Sequence, residues 1–440
     1  MLAHRVSLLS DPSPSGSPRS TPHSISQKER VSFRAERGIP LRSRHLAQPQ
    51  PLHSSRLKLF NFFPRHSPLT TPHCLLYFLF SIFAFLVLLH PTPAQNLDKP
   101  VLNVDDEVTS FAYSSDARIV FSVRRMFKNK KYDMQRDDIF IAEPNGKRRR
   151  ILEGQKFTHG DKPFTYQVES FTWSPNNHLI AVQLFTTTVD PEDEHHDDAR
   201  ALLLLDDSGR ILKPRGDELT MEAEQPMWLR DNSGLVYLTE EISTRELFSL
   251  HFLSIAGGPE TKVFEGRTFT SAVRIPGSNA AIAIERDTHM EGPPRIQRLD
   301  FLSQDDKELA TLDSYAGGLS VSPTGTKIAY FLDREVLEIR DLENPDHIAR
   351  MRVGLGVLQW SADESQIYIK RTIEKKSADL VTFRVPGLVA FRRGQAVPIL
   401  EPEPRELLHG LAVREYALST DGRYLAIVLP GKRNLQVFSF

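Results

Sequence analysis

Cysteine is almost missing from this chain: Cys74 is the only one among 440 residues. That excludes an intrachain disulfide framework and a cysteine-built zinc site, so any large domain must rest on its hydrophobic core. No apolar run reaches the roughly 20 residues that a membrane-spanning helix needs. Basic stripes interleaved with stacking aromatics are absent, which argues against nucleic acid as a partner. No strand-to-helix glycine cradle for phosphate occurs, because Ala256-Gly257-Gly258-Pro259 reads as a hairpin turn. A G-x-S-x-G nucleophile elbow is missing too. Only three tryptophans are present, Trp173, Trp228 and Trp360, and their placement is informative.

All three stand at one position of a repeated phrase: a large apolar residue, a short run of turn residues, then two or three apolar residues. Copies begin at Tyr113, Trp173, Trp228, Val321, Trp360 and Leu418, with a degenerate copy at Val273. Examples are Trp173-Ser174-Pro175-Asn176-Asn177-His178-Leu179-Ile180 and Leu418-Ser419-Thr420-Asp421-Gly422-Arg423-Tyr424-Leu425. Each copy reads as a strand end, a tight turn and the start of the next strand. Inside the units the apolar period is two, with short β-branched segments such as Val120-Phe121-Ser122-Val123 and Leu425-Ala426-Ile427-Val428. Further apolar strands and polar turns complete four strands per unit. The anchors recur 39 to 60 residues apart, close to the ~40–50 residues of one propeller blade. The fold class expected is all-β: a β-propeller of seven four-stranded blades. The last unit is one strand short, and the orphan strand at residues 100–104 is expected to close it. The anchors and turn carboxylates read as structural, the large side chains packing between neighbouring blades.

Ahead of the repeats the composition changes twice. Residues 1–73 are rich in Ser, Pro and Arg, carry 11 Lys/Arg against 3 Asp/Glu, and show no apolar periodicity, so they read as a disordered basic tail or an untranslated stretch. Residues 74–94 read as a signal peptide: an uncharged apolar run at 75–89, Arg56, Lys58 and Arg65 before it, and small residues Thr92 and Ala94 after it. Uncleaved, the run is an inner-membrane anchor with the basic tail inside, and the chain's only membrane contact. The domain expected over residues 95–440 is therefore periplasmic or secreted. From residue 74 on, 44 Lys/Arg face 53 Asp/Glu.

The phrases Trp173-Ser174-Pro175-Asn176-Asn177, Ser322-Pro323-Thr324-Gly325 and Ser419-Thr420-Asp421-Gly422 resemble the W-S-P-D-G repeat of TolB-like, WD40-like bacterial β-propellers. The resemblance covers roughly residues 96–440, without the α/β domain that TolB carries before its propeller. It implies the propeller fold and leaves function open, since one blade architecture serves many activities. Similar blades precede prolyl-oligopeptidase-type hydrolase domains, but no such domain follows Phe440 in this sequence.

Chemistry is sparse. The run Asp190-Pro191-Glu192-Asp193-Glu194-His195-His196-Asp197-Asp198 matches neither a calcium loop nor a zinc helix and reads as a solvated acidic loop. Lys128-Asn129-Lys130-Lys131, in the corresponding loop of the preceding unit, offers an opposite charge that pairs with it across the blade boundary. No catalytic constellation, metal site or cofactor is expected, and the chain reads as a non-enzymatic, monomeric module that binds a protein or peptide partner as a scaffold in the cell envelope. The alternatives are a carbohydrate-active or other small-ligand propeller with its site in the central funnel, and a membrane-anchored interaction protein. In a four-stranded blade the first-to-second turns share one face, and the second-to-third loops and blade connections share the other. Long segments at 127–136, 154–166, 186–198, 286–294 and 372–377 all fall on the second face. Extra loop length is where binding residues tend to sit. The candidates are Arg124, Arg125, Lys128, Lys130, Lys131, His195, His196, Arg286 and Arg371.

Overall fold

The computed structural model describes residues 99–440 apart from 130–131, 191, 193–195, 241–247, 288–291, 314–315, 333–334, 374–376, 393, 409–411 and 440. The expected basic tail and export segment lie outside the described residues. What is described is built from antiparallel meanders in chain order. The first sheet is Val108–Tyr113, Ile119–Val123, Asp138–Ala142 and Arg148–Leu152. The second is Phe164–Trp173, Leu179–Val189, His196–Asp206 and Ile211–Leu212, with Leu219–Met221 added beside its third strand.

An eight-stranded sheet comes next and contains two meanders. One is Glu224–Trp228, Gly234–Glu240, Phe248–Ser254 and Thr261–Val263; the other is Thr268–Arg274, Ala280–Arg286, Arg295–Asp300 and Asp306–Thr311. Among the described residues a single pair, Phe248 with Phe269, joins them. The fourth sheet holds Ala316–Val321, Lys327–Leu332, Val336–Asp341 and His347–Arg352, and the fifth Gly356–Trp360, Gln366–Ile373, Ser377–Arg384 and Arg405–Glu406. The sixth is Glu415–Leu418, Tyr424–Val428 and Leu435–Ser439, completed by Leu102–Val104 from the other end of the domain. Leu102 lies opposite Val437 and Val104 opposite Leu435. The expected N-terminal strand is therefore paired with the last meander.

Side-chain alternation explains the packing. Successive residues of a strand point to opposite faces, and here both faces are covered. In the second sheet Ala201, Leu203 and Leu205 pack toward the first sheet, while Leu202 and Leu204 pack toward Trp228, Leu235 and Tyr237 of the next meander. Val120 of the first sheet joins the cluster with the second, and its neighbour Phe121 joins Val104, Val428 and Val437 of the last. Each cluster thus joins one meander to the next, and one of them joins the last to the first.

Two details differ from the sequence reading. The degenerate repeat is set one residue later: Ile275 N–H donates to the Ala280 carbonyl, as Ser174 N–H does to Leu179, so Arg274 and not Val273 takes the anchor position. And the third strand of the fifth sheet does not lead into a short hairpin. The described residues of 385–404 run as a strap along the neighbouring fourth sheet, where Val389–Ala390 pairs antiparallel and Ile399–Leu400 parallel to His347–Arg352.

Removing residues 100–104 is expected to leave Leu435–Ser439 with an open edge and to uncover Val428 and Val437. The expected result is a lower melting temperature together with aggregation. Monomeric protein melting at the wild-type temperature would show that the terminal strand is dispensable.

Candidate functional site

The tight-turn face is occupied by structure. In each first-to-second turn an N–H just after the anchor bonds a carbonyl four or five residues on, as in Ser322 to Lys327 and Ser419 to Tyr424. Asn177, Asn232 and Glu364 hold the left-handed conformation in their turns, where Asn and Gly are favoured. Their side chains reach back to the preceding turn. Asn177 Oδ1 accepts from Ser115 N–H (3.1 Å), Asn232 Oδ1 from Asn176 N–H (3.0 Å), and Glu364 Oε1 from Thr324 N–H (2.7 Å). Burial opposes the charge on Glu364, but bonds from Lys327 and Thr324 outweigh it and hold its carboxyl at about 2. Inside this face Trp173 Nε1 donates to the Ala112 carbonyl (3.3 Å) and Trp228 Nε1 to that of Thr172 (3.0 Å), each on the preceding inner strand. The anchors therefore pack between meanders as their register implied.

The opposite face holds the long segments and two cavities. One, of about 550 Å³, is lined by Glu335, Arg352, Leu355, Arg371, Glu401 and Pro404, between the fourth and fifth sheets and the strap. Arg352 bridges Glu335 (2.6 Å) and Glu401 (2.9 Å) across it. The second, of about 410 Å³, is acidic: Asp198, Glu222, Glu224 and Glu240 surround Arg200 and the partly exposed ring of Phe185. Arg200 pairs with Glu224 at 2.6 Å. Near this face the first strands of five meanders shift register, between Val108/Ser110, Val168/Ser170, Glu224/Met227, Phe269/Ser271 and Gly317/Ser320. Such bulges re-aim side chains at sheet ends, where binding sites are common.

The candidates named from sequence disperse over this face. Arg124 pairs with Glu107 (2.9 Å), and Arg125 with Asp106 (3.2 Å) and Asp138 (3.1 Å). Lys128 is exposed on the hairpin Met126–Asn129/Tyr132–Gln135, 4.0 Å from Asp133 of the same hairpin. Asp190 of the acidic run pairs with Lys162, and the expected pairing of the two loops rests largely on residues 130–131 and 193–195, outside the described residues. His196 is exposed opposite Val189, Arg286 ends its strand half-buried, and Arg371 pairs with Asp379 (2.7 Å) beside the larger cavity. Lys130, Lys131 and His195 lie outside the described residues. No hydrogen bond or ion pair among the described residues joins Arg124, His196 and Arg371. Glu335, Arg352, Glu401, Glu222, Glu224 and Glu240 carry no site signal of their own in the sequence, and Asp198 stands there only within a solvated acidic run. The one signal for the first three is the length and proline content of residues 385–404.

Two buried polar groups serve the scaffold. Arg136 donates to the carbonyls of Phe164 (2.7 Å) and Phe157 (2.9 Å), and burial lowers its pKa. Beside it Asp137 accepts from Thr109 (2.7 Å) and Val168 N–H (3.0 Å), with its pKa raised by burial. Together they fix the root of the inserted hairpin to the second sheet. A third group has catalytic connectivity. Ser249 Oγ lies 3.0 Å from His251 Nε2, and His251 Nδ1 meets Glu260 Oε1, whose other oxygen pairs with Arg215 (2.7 Å). That is the order of contacts in a serine–histidine–carboxylate relay, with Ser249 only 3% exposed.

Four-stranded meanders packed face to face, with the terminal strand completing the last, define the chain as a β-propeller. No family model matches it, and no curated protein does. Among solved structures it resembles a chain of a mitotic checkpoint complex, with a TM-score of 0.47 and 13% identity over 78% of this chain and 93% of that one. It also resembles a prolyl endopeptidase, with a TM-score of 0.50 and 12% identity over 84% of this chain. It spans only 56% of that enzyme's chain. At that identity the likeness to the peptidase shows the fold alone. It also corrects the expectation that the chain is not an enzyme: a chain of the same fold belongs to a peptidase, so neither the fold nor the missing nucleophile elbow excludes catalysis.

Replacing Glu364 by Gln is expected to cost about 1.5–3 kcal/mol at neutral pH, the range for a bond to a charged group. Because the folded carboxyl titrates below its ordinary 4.5, its stabilisation is full above that value and fades as pH falls toward 2. Melting curves should therefore separate wild type from variant at pH 7 and converge in acid. A constant gap would show that Glu364 acts through packing.

Proposed function

We propose that this chain is an exported, seven-bladed, TolB-like β-propeller that binds a protein partner through its long-loop face. The division into residues 1–73, a signal segment at 74–94 and a monomeric propeller over 95–440 belongs to this proposal, as does a periplasmic or secreted location. Its main support is the asymmetry between the faces. Turn-to-turn bonds occupy one face, which holds a smaller cavity of about 250 Å³ at the Asp300–Asp306 turn, while the two larger cavities described above and the surplus loop length belong to the other. Surfaces not needed for folding are where a scaffold places its recognition residues.

Pull-downs with full-length protein carrying charge reversals on one face at a time test the reading. Glu222→Lys with Glu240→Lys, and separately Arg352→Glu, should abolish or sharply reduce partner capture. Arg210→Glu with Arg423→Glu, on the tight-turn face, should leave it unchanged. Loss confined to the tight-turn variants would reverse the assignment. N-terminal sequencing of the mature protein checks the export segment, and a start near residue 95 is expected.

The Ser249–His251–Glu260 relay favours a second reading, acyl-transfer hydrolysis. It requires the Ser249 hydroxyl to become uncovered. A fluorophosphonate probe that labels wild type but not Ser249→Ala would establish it in place of simple binding.

A further inference from the structure

Distant parts of the sequence meet where the last sheet abuts the first. Residues 105–107 link the closing strand to Val108–Tyr113, and Arg124 follows Ile119–Val123. Residues 429–434 turn between Tyr424–Val428 and Leu435–Ser439, and Arg414 leads into Glu415–Leu418. Backbone bonds lash these loops together: Val108 N–H to Arg433 O (3.1 Å), Arg124 N–H to Glu107 O (2.9 Å) and Arg414 N–H to Val428 O (2.8 Å). All lie on the long-loop face, at the entry to two inner strands.

The loops bring cations together. Arg124 and Arg433 converge on one oxygen, Glu107 Oε1, at 2.9 and 3.4 Å. Arg414 is 3.7 Å from Glu415, and the Lys370 ammonium donates to the Arg414 carbonyl. Burial and then the like charges of Arg414 and Arg124 lower the Arg433 pKa, so Arg433 stands within electrostatic reach of both. Four cations thus share Glu107 and Glu415, with buried Asp137 behind Arg124. Among the described residues the three guanidinium groups are held by ion pairs and make no side-chain hydrogen bond. Arg124 Nε is buried without any acceptor. A guanidinium carries a rigid fork of donors suited to carboxylate, and most of these donors are unspent.

We infer that the seam of Arg124, Arg414 and Arg433 is a docking point for a short acidic segment of a protein partner, whose carboxylates complete the coordination that Glu107 begins. This inference rests on the long-loop-face reading above. A protein segment suits the site better than a long polyanion or an anionic bilayer. The chain beyond residue 74 is net negative, and the same face carries the acidic quartet Asp198, Glu222, Glu224 and Glu240. An extended negative surface would be repelled there, whereas a few carboxylates need only the seam.

The test is fluorescence anisotropy of full-length protein with a labelled hexaglutamate peptide, at low and high salt. Binding should be salt-sensitive and at least tenfold weaker in Arg414→Gln/Arg433→Gln, with Arg210→Gln on the tight-turn face unchanged. The double variant keeps Arg124, and its folding is checked by its melting curve. Arg414→Lys/Arg433→Lys, which keeps charge without the fork, should recover only part of the loss. Equal affinity in wild type and the glutamine variant would overturn the inference, as would binding of inorganic phosphate or phosphatidylserine vesicles in preference to the peptide. If the glutamine variant still captures the partner while Glu222→Lys/Glu240→Lys does not, the seam is excluded and the long-loop face stands.

Discussion

Every meander in this protein is buried on both sides, and the rest of the architecture follows from that. A four-stranded sheet with two apolar faces has no stable state alone. It must be covered twice, and here its neighbours in chain order do the covering. Burying a Leu, Ile or Phe side chain contributes about 1.5–3 kcal/mol, and the second sheet alone places Leu202 to Leu205 alternately against the first sheet and the following meander. The same demand applies at the chain ends. Val104, Val428 and Val437 are covered only because the last sheet lies against Phe121 and Val123 of the first. Losing the terminal strand therefore disturbs two packing layers and one sheet edge together.

This constraint divides the labour between faces. Tight turns set the distance from each inner strand to its neighbour, and Asn177, Asn232 and Glu364 fasten one turn to the preceding one. Little freedom is left there. On the other face the connections need only span the gap, so they carry inserted hairpins and charged loops at small entropic cost. The polar groups there fall into two kinds. Arg136, Asp137 and Asp138 are consumed by the scaffold, each bonded to a neighbouring loop or strand. Arg352, Arg200 and the seam arginines border solvent, held by carboxylates at the surface and not by buried backbone.

Local chemistry made much of the fold legible. Ser174-Pro175-Asn176-Asn177 and Ser322-Pro323-Thr324-Gly325 announce turns through side-chain capping and left-handed positions, and Val120-Phe121 and Leu202-Leu203-Leu204 announce strands covered on both faces. The degenerate copy sits one residue later than its apolar spacing suggests because Pro276-Gly277-Ser278 shifts its left-handed position to Gly277. Residues 385–404 were not foreseen as a strap. Their pairing partner, His347–Arg352, belongs to another sheet, and no local pattern encodes it. The site was less legible for the same reason. Long loops drew attention to Arg124 and Arg371, but Arg414, Arg433 and Glu401 lie in unremarkable sequence.

The sequence by itself determined the all-β class, the repeat, the tight turns and the strand available to complete the last sheet, because each rests on interactions within a few residues. Tertiary structure alone decided which charges meet. Arg124 and Arg433 share one glutamate oxygen although they stand at opposite ends of the domain's sequence, and Arg352 reaches Glu401 only because the strap folds back. Coulomb and hydrogen-bond energies act over a few ångströms, and distance along the chain says nothing about that separation until the sheets have packed.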